Sequence, residues 1–275
     1  MCGRYAASAG NDDLIEQLDV DTDVTGERVR SVLKRPQEPP AGRPDYNIAP
    51  SKNARVVLAR APKDDPAAPP QRQLRLLTWG LVPSWAKDPA IGARLANARA
   101  ETVTTKPAFR SAVRSRRVLV PADGWYEWQV SPTATDAKGK PRKQPFFMHR
   151  DDAVPVTFAG LFEFWRDPAA QADDPLAWLT TFTIITTAAE PGLSRIHDRQ
   201  PLVLDPDQWS AWLDPQTPPD AVEELLGTHR PGRFGAYPVG RAVGNSRVNG
   251  PHLLDPVGAN ELVGVVDPST GEVIG

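Results

Sequence analysis

The chain contains one cysteine, Cys2, directly behind Met1. Methionine aminopeptidases trim Met1 when the next side chain is small, and cysteine is small. The trimmed chain would begin with a free α-amine and a thiol on adjacent carbons. Such an amine titrates near pH ~8 and such a thiol near ~8.5, so both are partly deprotonated at neutral pH. A 1,2-aminothiol reacts with aldehydes in a way few other protein groups can. The amine condenses to an imine, the thiol closes onto it, and a five-membered thiazolidine results. The ordinary alternative is that a lone cysteine is a small buried hydrophobe. The reactive reading requires an unblocked Cys2 that a carbonyl can reach.

Residues of matching chemistry recur in separate segments. Gly3 gives backbone freedom beside Cys2, and Arg4 could hold a phosphate and lower a neighbouring thiol pKa, or be a solvated arginine on an edge strand. Asn97 and Arg99 pair amide donors with a guanidinium fork. Trp85, on a Pro/Ser loop, could stack on a base or close a core. Glu127 sits among Trp125, Tyr126 and Trp128 just after a turn. In a strand, Trp125 and Glu127 share one face, and indole beside a carboxylate raises its pKa towards that of a general acid or base. His197, between Ile196 and Asp198, could move protons near pH 7, or be a structural histidine bonded to Asp198. His149, His229 and His252 receive no role. Walker, dinucleotide, HExxH and CxxC motifs are absent, and four scattered histidines with one cysteine argue against a metal site. No cofactor is expected.

These segments need elements to carry them. Residues 11–20 read as a short amphipathic helix, and 108–115, 206–213 and 219–226 as further helices. Strands are expected at 55–58, 74–79, 117–121, 125–130, 146–149, 156–164 and 179–187, the last being the β-branched run LTTFTIITT. Residues 21–45 read as irregular. The 30 prolines cluster in loops, and 130–144 reads as one of these. Many short strands with few helices predict an α+β fold with a mainly antiparallel sheet or barrel. Hydrophobic content of 40% and charged content of 24% are those of a soluble globular protein. One cysteine excludes a disulfide framework and fits a reducing cytosol. No signal-peptide pattern or membrane-length apolar run is visible. A net charge of -2 gives no global basic field, so a nucleic-acid site would be a local patch.

Taken together the segments resemble the SRAP family (SOS-response-associated peptidase), whose members are also called abasic-site processing proteins. The matching stretches are MCGRY at the start, YNIAPS at 46–51, WGLVPSW at 79–85, NARAET at 97–102 with KPAF at 106–109, PADGWYEW at 121–128, IHDRQPLVL at 196–204 and RAVGN at 241–245. The resemblance covers nearly the whole chain. It implies one compact α+β domain over 1–275, with a barrel-like, mainly antiparallel core at about 2–255 and a C-terminal tail at 256–275. It implies a charged groove for single-stranded DNA in which an abasic site meets Cys2. By position, Cys2 is the expected crosslinking nucleophile, with Asn97, Glu127 and His197 as the other catalytic groups. Arg4, Arg99, Lys106 and Arg199 are the expected phosphate contacts, and Asn47, Pro50, Trp85 and Thr186 the weaker groove-lining ones. Two departures stand out. Ala86 occupies a position where some members carry a second tryptophan. Lys106 stands where arginine is often found, which keeps the charge and loses the bidentate fork.

The implied activity is covalent capture of abasic sites in the DNA damage response, with lyase and self-processing side reactions open. The expected partner is single-stranded DNA, bound by a monomer in the cytoplasm or on the nucleoid, with no membrane partner. Two rival readings use the same residues. One is an N-terminal-nucleophile cysteine peptidase, releasing Met1 alone or acting more widely. The other is a non-covalent reader of modified or single-stranded DNA.

Overall fold

Strand signals in the sequence emerge as two large packed sheets, with a two-stranded C-terminal sheet beside them. The computed structural model describes residues 2–62, 64–152, 154–228 and 230–274, so Met1 and His229 lie outside the described residues. The elements in chain order begin with β1 (Tyr5–Ala7), α1 (Asn11–Gln17), β2 (Thr22–Asp23), β3 (Asp45–Ile48), β4 (Asn53–Arg60), β5 (Gln71–Trp79) and β6 (Asn97–Arg99). They continue with α2 (Ala112–Ser115), β7 (Arg117–Ala122), β8 (Gly124–Thr135), β9 (Pro141–Arg150), β10 (Val156–Arg166), β11 (Trp178–Ala188) and β12 (Arg199–Pro201). The chain ends through α3 (Pro206–Leu213), α4 (Pro219–Gly227), β13 (Phe234–Pro238), β14 (Val265–Val266) and β15 (Val273–Ile274).

Antiparallel ladders join β5, β4, β7, β10 and β11 in that spatial order. β11 then returns to β5 through parallel pairing of Thr181 with Thr78 and Phe182 with Trp79. The five strands thus close into a barrel, and closure removes the free edges that would otherwise invite association. The second sheet runs β13-β9-β8-β1-β3 and is antiparallel throughout. Period-two alternation divides the barrel side chains between two cores. Val56, Leu58, Val118, Val120, Phe158 and Phe162 join Cys2, Tyr5, Trp125, Phe146 and Met148 in one cluster. Val57, Leu119, Ala159 and Leu161 join Leu14, Leu18, Trp209, Trp212 and Leu225 of the helices in another. Each fully buried side chain such as Phe158 or Leu58 contributes roughly 1.5–3 kcal/mol of transfer free energy.

The α3 helix begins where Pro206 predicts, and Gln208 Oε1 accepts from the Asp205 backbone N–H at 2.9 Å. Expectation and structure part at several places. Residues 130–144 are not a loop. They extend β8 and β9 into a long hairpin, with Val130 paired to Lys143 and Thr135 to Pro141. Helix in the 108–115 region is confined to Ala112–Ser115, because Lys106 to Arg110 forms successive isolated turns. The short segment carrying Arg4 is not a sheet edge, since β1 lies between β3 and β8. Residues 21–45 are irregular apart from β2, which pairs parallel with β5. Residues 256–274 pack on the body: Ser131 Oγ donates to Gly264 O at 2.5 Å, and β14 lies beside β8. Among the described residues no helix is long and apolar enough to cross a membrane.

Candidate active site

β1 delivers the start of the chain to β8. Tyr5 pairs with Trp125, and the Arg4 carbonyl accepts from the Tyr126 N–H at 2.9 Å. The residues ahead of β1 continue beside β8, close enough for the Glu127 charge to act on the Cys2 thiol. From the other side, β6 pairs parallel with β11, matching Asn97 to Ile184 and Arg99 to Thr186. This brings Asn97 to Cys2, and its Nδ2 donates to the Cys2 carbonyl at 2.7 Å. The Asn97 Oδ1 is buried and accepts no hydrogen bond from the described residues. β11 also pairs antiparallel with β12, so the turn carrying His197 lies on the same strand that positions Asn97.

Cys2 is fully buried, within the core cluster that holds Trp79, Trp125, Leu193 and Ile196. The requirement that Cys2 be reachable is therefore not met in the chain that still carries Met1. Burial, and then the nearby Glu127 charge, push the thiol well above its ordinary pKa, so it is held protonated. The Cys2 Sγ lies 3.9 Å from the Arg4 carbonyl, to which the thiol donates.

Glu127 is 3% exposed, and burial raises its pKa to about 7, with the Asp198 charge adding to the rise. Such a carboxyl exchanges a proton readily at neutral pH. The half-buried His197 is shifted down, first by burial, so its ring is neutral at pH 7. The Arg199 backbone N–H donates to His197 Nδ1 at 3.0 Å, which places the neutral ring's proton on Nε2. Asp198 Oδ1 also lies 3.0 Å from Nδ1 and favours the ring when it takes a second proton.

The expected phosphate contacts divide into two kinds. Arg99 and Lys106 are exposed and enter no ion pair among the described residues. Arg4 is half-buried and donates to Asn47 Oδ1 at 3.4 Å. Arg199 is already occupied: Glu101 holds both its terminal nitrogens at 2.6 and 2.9 Å, and the Thr186 carbonyl accepts at 2.6 Å. Two groove-lining expectations need correction. Asn47 and Thr186 are fully buried and offer no surface. Asn47 instead anchors Arg4, donating to Asn245 O at 3.0 Å and Val248 O at 2.8 Å, while Thr186 sits between β6 and β12. Pro50 is half-buried, ahead of Ser51, whose φ of 76° turns the chain. Trp85 is 61% exposed. Its neighbour Ala86 is buried beside Trp165, and its carbonyl accepts from Trp165 Nε1 at 2.7 Å, so a bulky side chain at that position would meet packed core.

Other site residues carried no prior assignment. Glu101 lies within the NARAET block, which was the available signal. Lys52 follows YNIAPS; its ammonium pairs with Asp45 at 2.7 Å, both buried, and donates to Asn47 O at 3.1 Å, which fixes the loop under Arg4. Among the described residues no group of three His, Cys, Asp or Glu could hold a metal ion. Cavities of ≈ 290 Å³ beside Arg55 and Asp123, ≈ 470 Å³ beside Ser51 and Gly80 and ≈ 360 Å³ beside Asn11 and Gly42 are lined by residues other than Cys2, Asn97, Glu127 and His197.

Residues 1–246 match the model of a family described as SOS response associated peptidase (SRAP). The chain is 35% identical over 258 residues to the abasic site processing protein YoaM of Bacillus subtilis, covering 93% of this chain and 98% of the relative. It is 33% identical to the abasic site processing protein YedK of Escherichia coli, covering 94% and 100%. It is 30% identical to the abasic site processing protein HMCES of Rattus norvegicus, covering 93% and 76%. A crystal structure of a Bacteroides thetaiotaomicron protein shares the fold with a TM-score of 0.70 at 22% identity, covering 93% of this chain and 100% of that one. With a family match over residues 1–246 and relatives at 30% identity or more along most of its length, the chain belongs to the SRAP family.

Proposed function

We propose that the chain captures abasic sites in single-stranded DNA as a covalent adduct with Cys2. The relatives' names supply the substrate class, and the observation that carries the chemistry is the Asn97–Cys2 clamp beside a carboxyl poised near neutrality. Removal of Met1 turns the Cys2 nitrogen into a primary amine. The abasic sugar opens to its aldehyde, helped by the His197 Nε2 proton at the ring oxygen. The amine adds to C1′, and the carbinolamine loses water to give an imine. The thiol adds to the imine carbon, and its proton passes through Glu127 to the imine nitrogen. One water leaves overall and nothing is oxidised or reduced. Asn97 holds the Cys2 carbonyl throughout, so the amine and thiol have little freedom left to lose. Arg4, Arg99 and Lys106 hold flanking phosphates, and binding weakens as salt rises. The protein acts as a monomer in the cytoplasm.

The test is incubation with an oligonucleotide carrying a single abasic site. Wild type is expected to give a denaturant-stable adduct whose mass is that of the Met1-free protein plus DNA less one water. Equal adduct from Cys2→Ala sinks the reading. A thiol-peptidase reading stands second, because cysteine hydrolases depend on a lowered thiol pKa, whereas here burial and Glu127 raise it. A non-covalent reader would keep lesion affinity in Cys2→Ala and never give an adduct.

A further inference from the structure

β8 carries Glu127 and, two residues on, Gln129 on the same face. Gln129 is 2% exposed and spends its whole carboxamide on backbone. Nε2 donates to Arg195 O at 3.1 Å and to Val266 O at 2.9 Å, and Oε1 accepts from the Val266 N–H at 2.8 Å. Arg195 O belongs to the turn that carries His197, where the Ile196 and His197 N–H groups both donate to Leu193 O. Val266 belongs to β14, in the C-terminal hairpin of residues 265–274, beyond the stretch that matches the family model. The hairpin grips the turn a second time. Arg195 Nη1 donates to Pro268 O at 2.5 Å and Ser269 O at 3.0 Å, and Val265 packs with Leu193 and Ile196 in the core that holds Cys2. Gln129 thus bonds turn, hairpin and catalytic strand together.

We propose that Gln129 and the C-terminal hairpin form a brace that fixes the His197 turn relative to Glu127, which makes Gln129 a positioning residue. The inference rests on the reading that His197 moves a proton on the sugar. A loosened turn leaves Cys2, Asn97 and the arginines in place and lets the imidazole wander from the ring oxygen. An ångström of misplacement is enough to slow such a step. The charged groups acting on that ring are the chain's amino terminus, which lowers its pKa after burial does, and Asp198 and Arg199 on its own segment, with Glu127 on β8 feeling the Asp198 charge.

Gln129→Met keeps the length and removes every hydrogen bond. Gln129→Glu keeps the shape and faces two carbonyls with a charge. Adduct formation is expected to fall on the order of ten- to a hundredfold in Gln129→Met, and further in Gln129→Glu. Affinity for an abasic-free oligonucleotide should stay within about twofold, since the phosphate contacts are untouched. The His197 titration, followed by imidazole NMR, should move up towards its ordinary value as the turn opens to water. Arg195→Ala removes the second grip at an exposed position and should move rate and titration in the same direction by less. Wild-type rate and an unmoved His197 midpoint in Gln129→Met overturn the brace. If wild type itself gives no adduct, the capture reading falls, and the His197 titration in the variants still decides the brace.

Discussion

The Asn97 side-chain amide donates to the Cys2 carbonyl across 2.7 Å, joining a strand paired to β11 to the first residues of the chain. The bond is to backbone, so it constrains where the Cys2 amine and thiol point without touching either. Asn97→Ala should leave DNA affinity near wild type and lower the adduct rate by on the order of tenfold or more, equivalent to a lost hydrogen bond of roughly 1.5 kcal/mol. Single-turnover kinetics at saturating DNA check this. A normal rate in Asn97→Ala would show that Cys2 needs no clamp.

Glu127 makes stability depend on pH with a defined sign. Its folded pKa of about 7 lies above the ordinary 4.5, so the folded state binds the extra proton. The associated stability is complete below about pH 4.5 and is lost as pH rises through about 7. The gap corresponds to roughly 3 kcal/mol at most. Glu127→Gln keeps the shape and cannot ionise. It should match wild type in acid and exceed it above pH 7, and its adduct rate should lack an inflection near pH 7. Thermal melts and rate profiles over pH 4–9 test both; parallel curves for the two proteins refute the assignment.

Much of this site is legible in the residues themselves. Trp125 and Glu127 on one face of β8 follow from strand periodicity, and LTTFTIITT reads as the central strand it is, β11. Barrel closure is not legible in that way. It depends on parallel pairing of Thr181 with Thr78, and no local pattern encodes contacts between segments so distant in sequence. Residues 130–144 look like a loop because lysine, proline and glycine disfavour strands, yet the pairing of Val130 with Lys143 extends the hairpin through them. The burial of Cys2 and Asn47 depends on two sheets meeting, which single residue types do not announce. Gln129 carries no motif, and its role appears only once the C-terminal hairpin folds back on β8.

Arg199 is occupied by Glu101, so a phosphate bound at that guanidinium would have to displace a carboxylate. The pair is partly solvated, and its removal should cost under about 1 kcal/mol of stability. Glu101→Gln should bind single-stranded DNA several-fold more tightly at low salt. The slope of log affinity against log salt should steepen by about 0.7 for each phosphate gained. Fluorescence anisotropy across a salt series measures this. Weaker binding by Glu101→Gln would mean instead that Glu101 holds Arg199 in its DNA-contacting orientation.

Trp85 exposes 61% of its surface, between exposed Ser84 and buried Ala86, so its indole contributes little to the folded core. Trp85→Ala should therefore change the melting temperature little. Stacking on one base is worth roughly 1–3 kcal/mol, so affinity for single-stranded DNA should fall about five- to a hundredfold, with similar losses for abasic and intact strands. Trp85→Phe should recover much of the loss, because stacking needs a π face rather than an indole N–H. Ala86 cannot substitute for it, since that position is buried against Trp165 and Leu179. If Trp85→Ala binds as well as wild type while Arg99→Ala and Lys106→Ala weaken binding, the protein holds its strand by phosphates alone and the exposed indole is not a stacking platform.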